Sequence, residues 1–432
     1  MKRTVILSLA GLLATSVLSA QEKPKTGWVY TPMPDISYNT DLGLNLGAFC
    51  DFFYYGDGST YPNFLHHAGF TGAWTTKGSA YFHGFFDSVA LFPGLRVSVS
   101  ATYRDASANN FYGFNGIAAP FYPSLELNKD TRTAFYTNHR RFFRTAAAVQ
   151  GPIAGPFSWV GGMVFRHVKM SDFNLKNYDS GKSLYLYYRQ TDLIHEDEFK
   201  GGTSLELKAG LTYDTRDVEL FPSKGAYGEL LVLGNGDLKQ WKYNYLQVSA
   251  RWKQYISLIP EWLIFAYQLC FQHTLAGDIP YYNLNELATI SYLYEENAGL
   301  GSRYSIRGYR YNRIAAAGYA WANLELRVIP IKFNLFGQHF DIVFNPFMDL
   351  ATITKTYREE EMMYKLTPTP GEMPSGIPAL WYTDEKRPVM ASAGCGVKLH
   401  MNTNFILSLD FAKAFDPQLS DFTVGMGTTY VF

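Results

Sequence analysis

SLELKAGLTYD, residues 204–214, alternates without interruption: Leu205, Leu207, Ala209, Leu211 and Tyr213 share one parity, and Ser204, Glu206, Lys208, Gly210, Thr212 and Asp214 the other. A strand sends the two sets to opposite faces, so one face is apolar and the other carries charge. The period recurs at 246–253, where Leu246, Val248, Ala250 and Trp252 oppose Gln247, Ser249, Arg251 and Lys253. It returns at 322–328 and again at 405–411. A soluble sandwich alternates as well, so the period alone leaves the surrounding solvent open.

Composition and termini choose the solvent. Residues 1–20 read as a secretory signal, with Lys2 and Arg3 ahead of an apolar run from Val5 to Val17 and then Ser19 and Ala20. That run falls short of the roughly 20 residues a membrane helix needs, and no later stretch is longer. With 32 Tyr, 32 Phe, 8 Trp and 37 Gly but only 18% charged residues, the chain suits a sheet whose outer face meets lipid and whose inner face is polar. An open sheet in hydrocarbon would strand backbone donors and acceptors along its edges. The expectation is therefore an all-β, closed antiparallel transmembrane β-barrel over residues 41–432, preceded by a short periplasmic segment, 21–40. Its partners are outer-membrane lipid and its place the bacterial outer membrane.

Charge and motifs exclude other classes. Lys+Arg and Asp+Glu both number 38, which gives no reason to expect nucleic acid as a partner. Cys50, Cys270 and Cys395 are scattered and lack metal-ligand spacing. No Gly-x-Ser-x-Gly turn, His-Glu-x-x-His pair or phosphate-cradling glycine loop occurs. The chain is thus expected to have no catalytic residues, no metal and no cofactor, and not to be an enzyme. His195-Glu196-Asp197-Glu198, Glu359-Glu360-Glu361 and His66-His67 read as solvated polar runs in loops.

Strand-like spans after residue 200 fall at 204–216, 224–235, 242–257, 262–275, 317–329, 340–353, 389–400, 403–413 and 422–432. Earlier ones fall near 41–54, 66–88, 92–104, 131–149 and 155–169. That makes fourteen, with room for more strands inside 66–88 and 170–203. Connections alternate between short ones, such as 258–261 and 401–402, and long ones, 276–316 and 354–388, as a barrel requires.

The chain ends in FTVGMGTTYVF, 422–432, with Phe422, Val424, Met426, Thr428, Tyr430 and Phe432 on one parity. A last strand ending in Phe432 with Tyr430 two residues before it resembles the C-terminal signal of bacterial outer-membrane barrels. Gly425 and Gly427 weaken such a strand and so the seam it would form with the first.

Three further stretches carry a resemblance. Ser305-Ile306-Arg307-Gly308-Tyr309 is similar to the Val-Arg-Gly-Phe motif, FMDLATI at 347–353 to a Phe-x-Asp strand, and GLTYDTRDVELFPSKG at 210–225 to a strand followed by a Pro-x-x-Gly turn. Together they resemble the BamA/TamA-like superfamily, also called the bacterial surface antigen family. At Ala351 that family usually has glycine. The resemblance implies sixteen strands rather than fourteen, and a long loop carrying Arg307, Gly308 and Tyr309 folded into the lumen.

Alternation puts Glu325 and Asp349 on the inward face of two adjacent strands. Arg307 is therefore expected to fork between these carboxylates, with Gly308 giving the tight turn beside the wall. The resemblance implies insertion or transport of a polypeptide across the outer membrane, with a polypeptide client. About twenty residues separate the signal from the first strand, too few for the periplasmic receptor (POTRA) domains of well-studied members, so a separate periplasmic or outer-membrane protein partner is expected. The alternative is a passive pore or a structural barrel.

Overall fold

Why sixteen strands appear where fourteen were counted is explained by two stretches. The computed structural model describes residues 24–432 apart from 40–42, 77, 117–120, 131, 292–298, 303–304, 336–337, 367–388, 402–404, 417–419, 421 and 428–431. Its strands are β1 Trp28–Asn39, β2 Gly43–Tyr54, β3 His66–Thr75, β4 Ala80–Phe92, β5 Leu95–Asn110, β6 Thr137–Ala154, β7 Phe157–Ser171 and β8 Thr203–Asp214. They continue as β9 Gly225–Asp237, β10 Tyr245–Ile259, β11 Leu263–Gly277, β12 Gly318–Leu335, β13 Gln338–Lys355, β14 Met390–Met401, β15 Phe405–Ala414 and β16 Phe422–Gly427. The expected run 66–88 is two strands, folded at Gly78, where φ is +82°. Alternation on both sides of that turn hid it.

The second addition is β1, which lies in the stretch assigned to a periplasmic segment. That assignment is corrected: only a few residues separate position 21 from the sheet. Pro32 and Pro34 disguised the strand, since proline demotes a run to an edge or a non-strand. No strand lies among the described residues of 172–202, which instead hold a short helix, Leu184–Gln190, capped by the Ser183 side chain on Leu186 N. The signal, residues 1–20, lies outside the described residues.

All strands are antiparallel and each pairs with its neighbours in sequence, while β1 also lies beside β16. Outward side chains are the apolar parity, among them Trp28, Leu207, Leu211 and Leu269, all exposed. Inward ones are polar yet buried, including Glu206, Lys208, Gln268, Asn323 and Lys398. Such an inversion, apolar outside and charge inside, is stable only where hydrocarbon surrounds the sheet.

The long connections, 111–136, 172–202, 278–317 and 356–389, fall at one end of the sheet and the short turns 93–94, 155–156 and 260–262 at the other. Over the long-loop end, aromatic rings pack edge to face: Phe111 on Tyr188 at 5.3 Å and Phe114 on Tyr357 at 4.8 Å. These rings belong to three different loops, so their packing covers the lumen mouth.

Candidate functional site: the lumen lock and the seam

The 278–317 connection turns back inside the sheet, and Arg307 is 2% exposed. Its Nε and Nη2 donate to Asp349 Oδ2 and Oδ1 at 2.8 and 2.7 Å, and its Nη1 donates to Glu325 Oε1 at 2.6 Å. The Arg307 backbone N–H adds a further bond to Asp349 Oδ2 at 2.9 Å. The guanidinium carbon also lies over the Phe347 ring, 3.4 Å from its centroid. Phe347 and Glu325 are register partners, as are Asp349 and Asn323, so two adjacent strands present one carboxylate each and a ring between them. The expected fork between Glu325 and Asp349 is thus the observed geometry.

Gly308 adopts φ +85°, a region open to glycine and strained for a side chain. A Cβ there would stand 2.9 Å from Ser392 Cβ and 3.0 Å from Ala414 N. Its N–H donates to Thr423 Oγ1 of β16 at 3.1 Å, and the hydroxyl of Tyr309 donates to Ala391 O of β14 at 3.1 Å. Ser392 Oγ donates to the Arg307 carbonyl. Three consecutive residues therefore tie β12 and β13 to β14 and β16. Ala351, where the resemblance leads one to expect glycine, is buried among Ile306, Tyr309 and Trp321, its methyl filling that packing.

Charge continues beyond the lock. Glu325 Oε2 accepts from Arg327 Nε at 3.1 Å, and Arg327 Nη2 donates to the Phe432 carbonyl at 2.8 Å. Phe432 is buried against Tyr255 and Ala266. It does not share the outward face of Phe422, which is exposed, so the face expected for Phe432 is corrected. The described part of β16 ends at Gly427, and residues 428–431 lie outside the described residues. Tyr430 lies outside the described residues. Gly425 sits in β16 and is the point of contact with β1.

Among the described residues β1 and β16 share one register pair, Asn39 with Gly425, whereas β1 pairs with β2 from Trp28–Tyr54 to Asn39–Gly43. Tyr55 N–H donates to Gly27 O at 2.9 Å. Because hydrogen-bonding direction alternates along an antiparallel strand, this puts the odd-numbered residues of β1 in the bonds to β2 and turns the even-numbered backbone groups toward β16. Pro32 and Pro34 are even-numbered and have no N–H, which removes two donors from the seam edge.

At the short-turn end, the 215–224 connection crosses the lumen mouth. Glu219 Oε1 accepts from Arg96 Nη2 of β5 at 2.7 Å, and Arg96 is held in turn by Asp87 of β4. Leu220 packs with Phe53, Tyr55 and Phe64. Phe221 meets the His400 ring of β14 at 3.7 Å. Burial raises the Glu219 carboxyl, but Arg96 outweighs it by charge and hydrogen bond and holds Glu219 below the usual carboxylate range. The resemblance singled out this turn by its Pro-x-x-Gly sequence, and nothing in that pattern revealed that it spans the mouth.

Glu198 was also missed. Far from a solvated run, it is buried and joins three loops by accepting from Arg358 Nη1 at 2.5 Å and from Tyr281 N at 3.1 Å. His195 lies 3.6 Å from Glu361. These partners are more than 80 residues apart in sequence, beyond any local signal.

A family model described as the Omp85 superfamily domain matches residues 63–430. The chain belongs to the Omp85 superfamily. It is an outer-membrane barrel protein of Gram-negative bacteria, in a family of insertion and translocation barrels. Among solved structures, this Omp85 chain is similar to BamA from Haemophilus ducreyi lacking POTRA domains 1–3, with 16% identity and a TM-score of 0.54 over 94% of this chain and 70% of that one. It is also similar to CdiB from Escherichia coli, with 10% identity and a TM-score of 0.54 over 94% of this chain and 63% of that one. At such identities the likeness is one of fold. Comparison with curated proteins finds no match.

Proposed function

We propose that this Omp85 chain closes as a sixteen-stranded barrel in the outer membrane and inserts or transports a polypeptide at the β1–β16 seam, working with a separate periplasmic partner. The carrying observation is the seam itself: among the described residues one register pair joins β1 to β16, two prolines face that edge, and the lumen lock bonds the last strand through Gly308 and Thr423. An edge with unpaired backbone groups is a template for a client strand, with main-chain hydrogen bonds giving affinity and little demand on sequence. The lock fixes where β16 stands when no client is present.

The alternative is a passive pore or a structural barrel. Two features speak against a wide pore. The infolded connection reaches the opposite wall, where Lys208 Nζ donates to Thr289 O at 2.7 Å and Arg166 lies 3.3 Å from Glu286, and the 215–224 turn covers the other mouth. Enzymatic activity is not part of this reading. Depleting the protein should lower the amounts of outer-membrane barrel proteins in the cell. Normal amounts after depletion, together with large Arg307-independent conductance in planar bilayers, would favour the pore.

A further inference from the structure

The lipid-facing parity of β5 to β7 changes character near the long-loop end. Nearer the short turns it is apolar, with Val99 and Tyr103 on β5, Phe143 on β6 and Trp159 and Met163 on β7, all exposed. Beyond Tyr103 and Phe143 the same faces carry Asp105, His139, Arg141, His167 and Lys169. The register brings them side by side: Asp105 pairs with Arg141, Arg141 with Lys169, and Phe143 with His167. Arg141 is 44% exposed at its side chain, and Lys169 is exposed as well. Cations in this row are therefore at the upper boundary of the hydrocarbon, where the apolar strip ends.

Asp105 organises the row rather than neutralising it. It accepts from Arg141 Nε at 2.8 Å and lies 2.5 Å from His139 Nε2. That fixes the guanidinium beside the wall and leaves Arg141 Nη1 with no described partner. No described hydrogen bond or ion pair reaches the Lys169 ammonium, while His167 Nδ1 bonds Thr203 Oγ1 at 2.8 Å. One carboxylate faces two permanent cations, and a guanidinium next to an ammonium suits a phosphate, which accepts from both.

We infer that this face, centred on Arg141 and Lys169, binds the phosphorylated headgroup of an outer-leaflet glycolipid, with the acyl chains along Phe143, Trp159 and Met163. A free phosphate would use the cations but not the contiguous apolar strip beneath them. The assignment rests on the membrane placement proposed above and adds to it that the long loops lie outside the cell.

The test uses the full chain purified in detergent, with bisphosphorylated lipid A and its dephosphorylated counterpart as probes and native mass spectrometry as readout. Wild type should retain the bisphosphorylated form at least about tenfold better than the dephosphorylated one, and Arg141→Ala with Lys169→Ala should erase that preference. The double variant should keep its heat-modifiable gel migration, since both side chains face out. Inorganic phosphate at equal concentration should not displace the lipid. Equal retention of the two lipids by wild type, an unchanged preference in the double variant, or displacement by phosphate would each overturn the assignment. Labelling of Lys176→Cys by an impermeant maleimide on whole cells reads the orientation independently. Absence of label there would refute the placement itself, whatever the lipids do.

Discussion

Arg307 carries five hydrogen-bond donors into a space walled by two carboxylates and a ring. Replacing it by alanine would leave Asp349 and Glu325 buried without their counter-charge, a loss on the order of 3–5 kcal/mol. Arg307→Ala should therefore lower the temperature at which the folded barrel unfolds on a heat-modifiability gel and open the 278–317 connection to protease. Arg307→Lys should fall between, because a point charge cannot fork to both acids. Unchanged unfolding temperature and protease resistance in the alanine variant would show that the loop is held without the lock. Gly308→Ala combines a strained φ of +85° with a Cβ 2.9 Å from Ser392. A cost of about 1–3 kcal/mol follows, read on the same gel. At this scale the sequence was informative, since parity alone placed Glu325 and Asp349 inward and the motif resemblance supplied the arginine. It could not show that Gly308 and Tyr309 reach β16 and β14, because those contacts span more than 80 residues.

Single elements repeat the lesson. Strand spans in the second half of the chain agree with β8 to β15 to within a few residues, save that β12 runs on to Leu335, six residues past its expected end, because each strand there has one lipid face and one polar face and is bounded by loop residues. The first half is less regular: Pro32 and Pro34 mask β1, and a tight turn at Gly78 joins two alternating runs. Prolines on the seam edge make a prediction of their own. Pro32→Val with Pro34→Val restores two N–H donors, each worth roughly 0.5–1.5 kcal/mol if paired. The double variant should resist heat better and insert clients less well; a variant with neither change would show that the prolines do not set the seam.

The 215–224 turn also belongs to this scale. Folding lowers the Glu219 carboxyl below its unfolded value, so its bond to Arg96 stabilises the turn above the unfolded carboxylate range and is lost as pH falls through the lowered folded value. Bilayer conductance should therefore be low at neutral pH and rise under acid conditions, and Glu219→Gln should show the raised level already at neutral pH. Conductance that is equally low in Glu219→Gln at every pH would mean the turn is held by Leu220 and Phe221 alone.

For the molecule as a whole, the inside-out distribution of side chains and the family match agree on an outer-membrane barrel, and the lock, the turn across the mouth and the aromatic cover agree on a closed lumen. The proposed client site is the seam, where Asn39 of β1 and Gly425 of β16 are register partners. Composition and alternation made the membrane legible, and Gly425 and Gly427 pointed to a weak seam, whereas which residues of the first and last strands stand opposite one another is encoded in no local pattern. The seam's most direct test is a cysteine pair, Asn39→Cys with Gly425→Cys, in a background with Cys50, Cys270 and Cys395 changed to serine. Oxidation should stop the appearance of new outer-membrane barrel proteins, and reduction should restore it. Undiminished assembly with the seam demonstrably cross-linked would contradict the account.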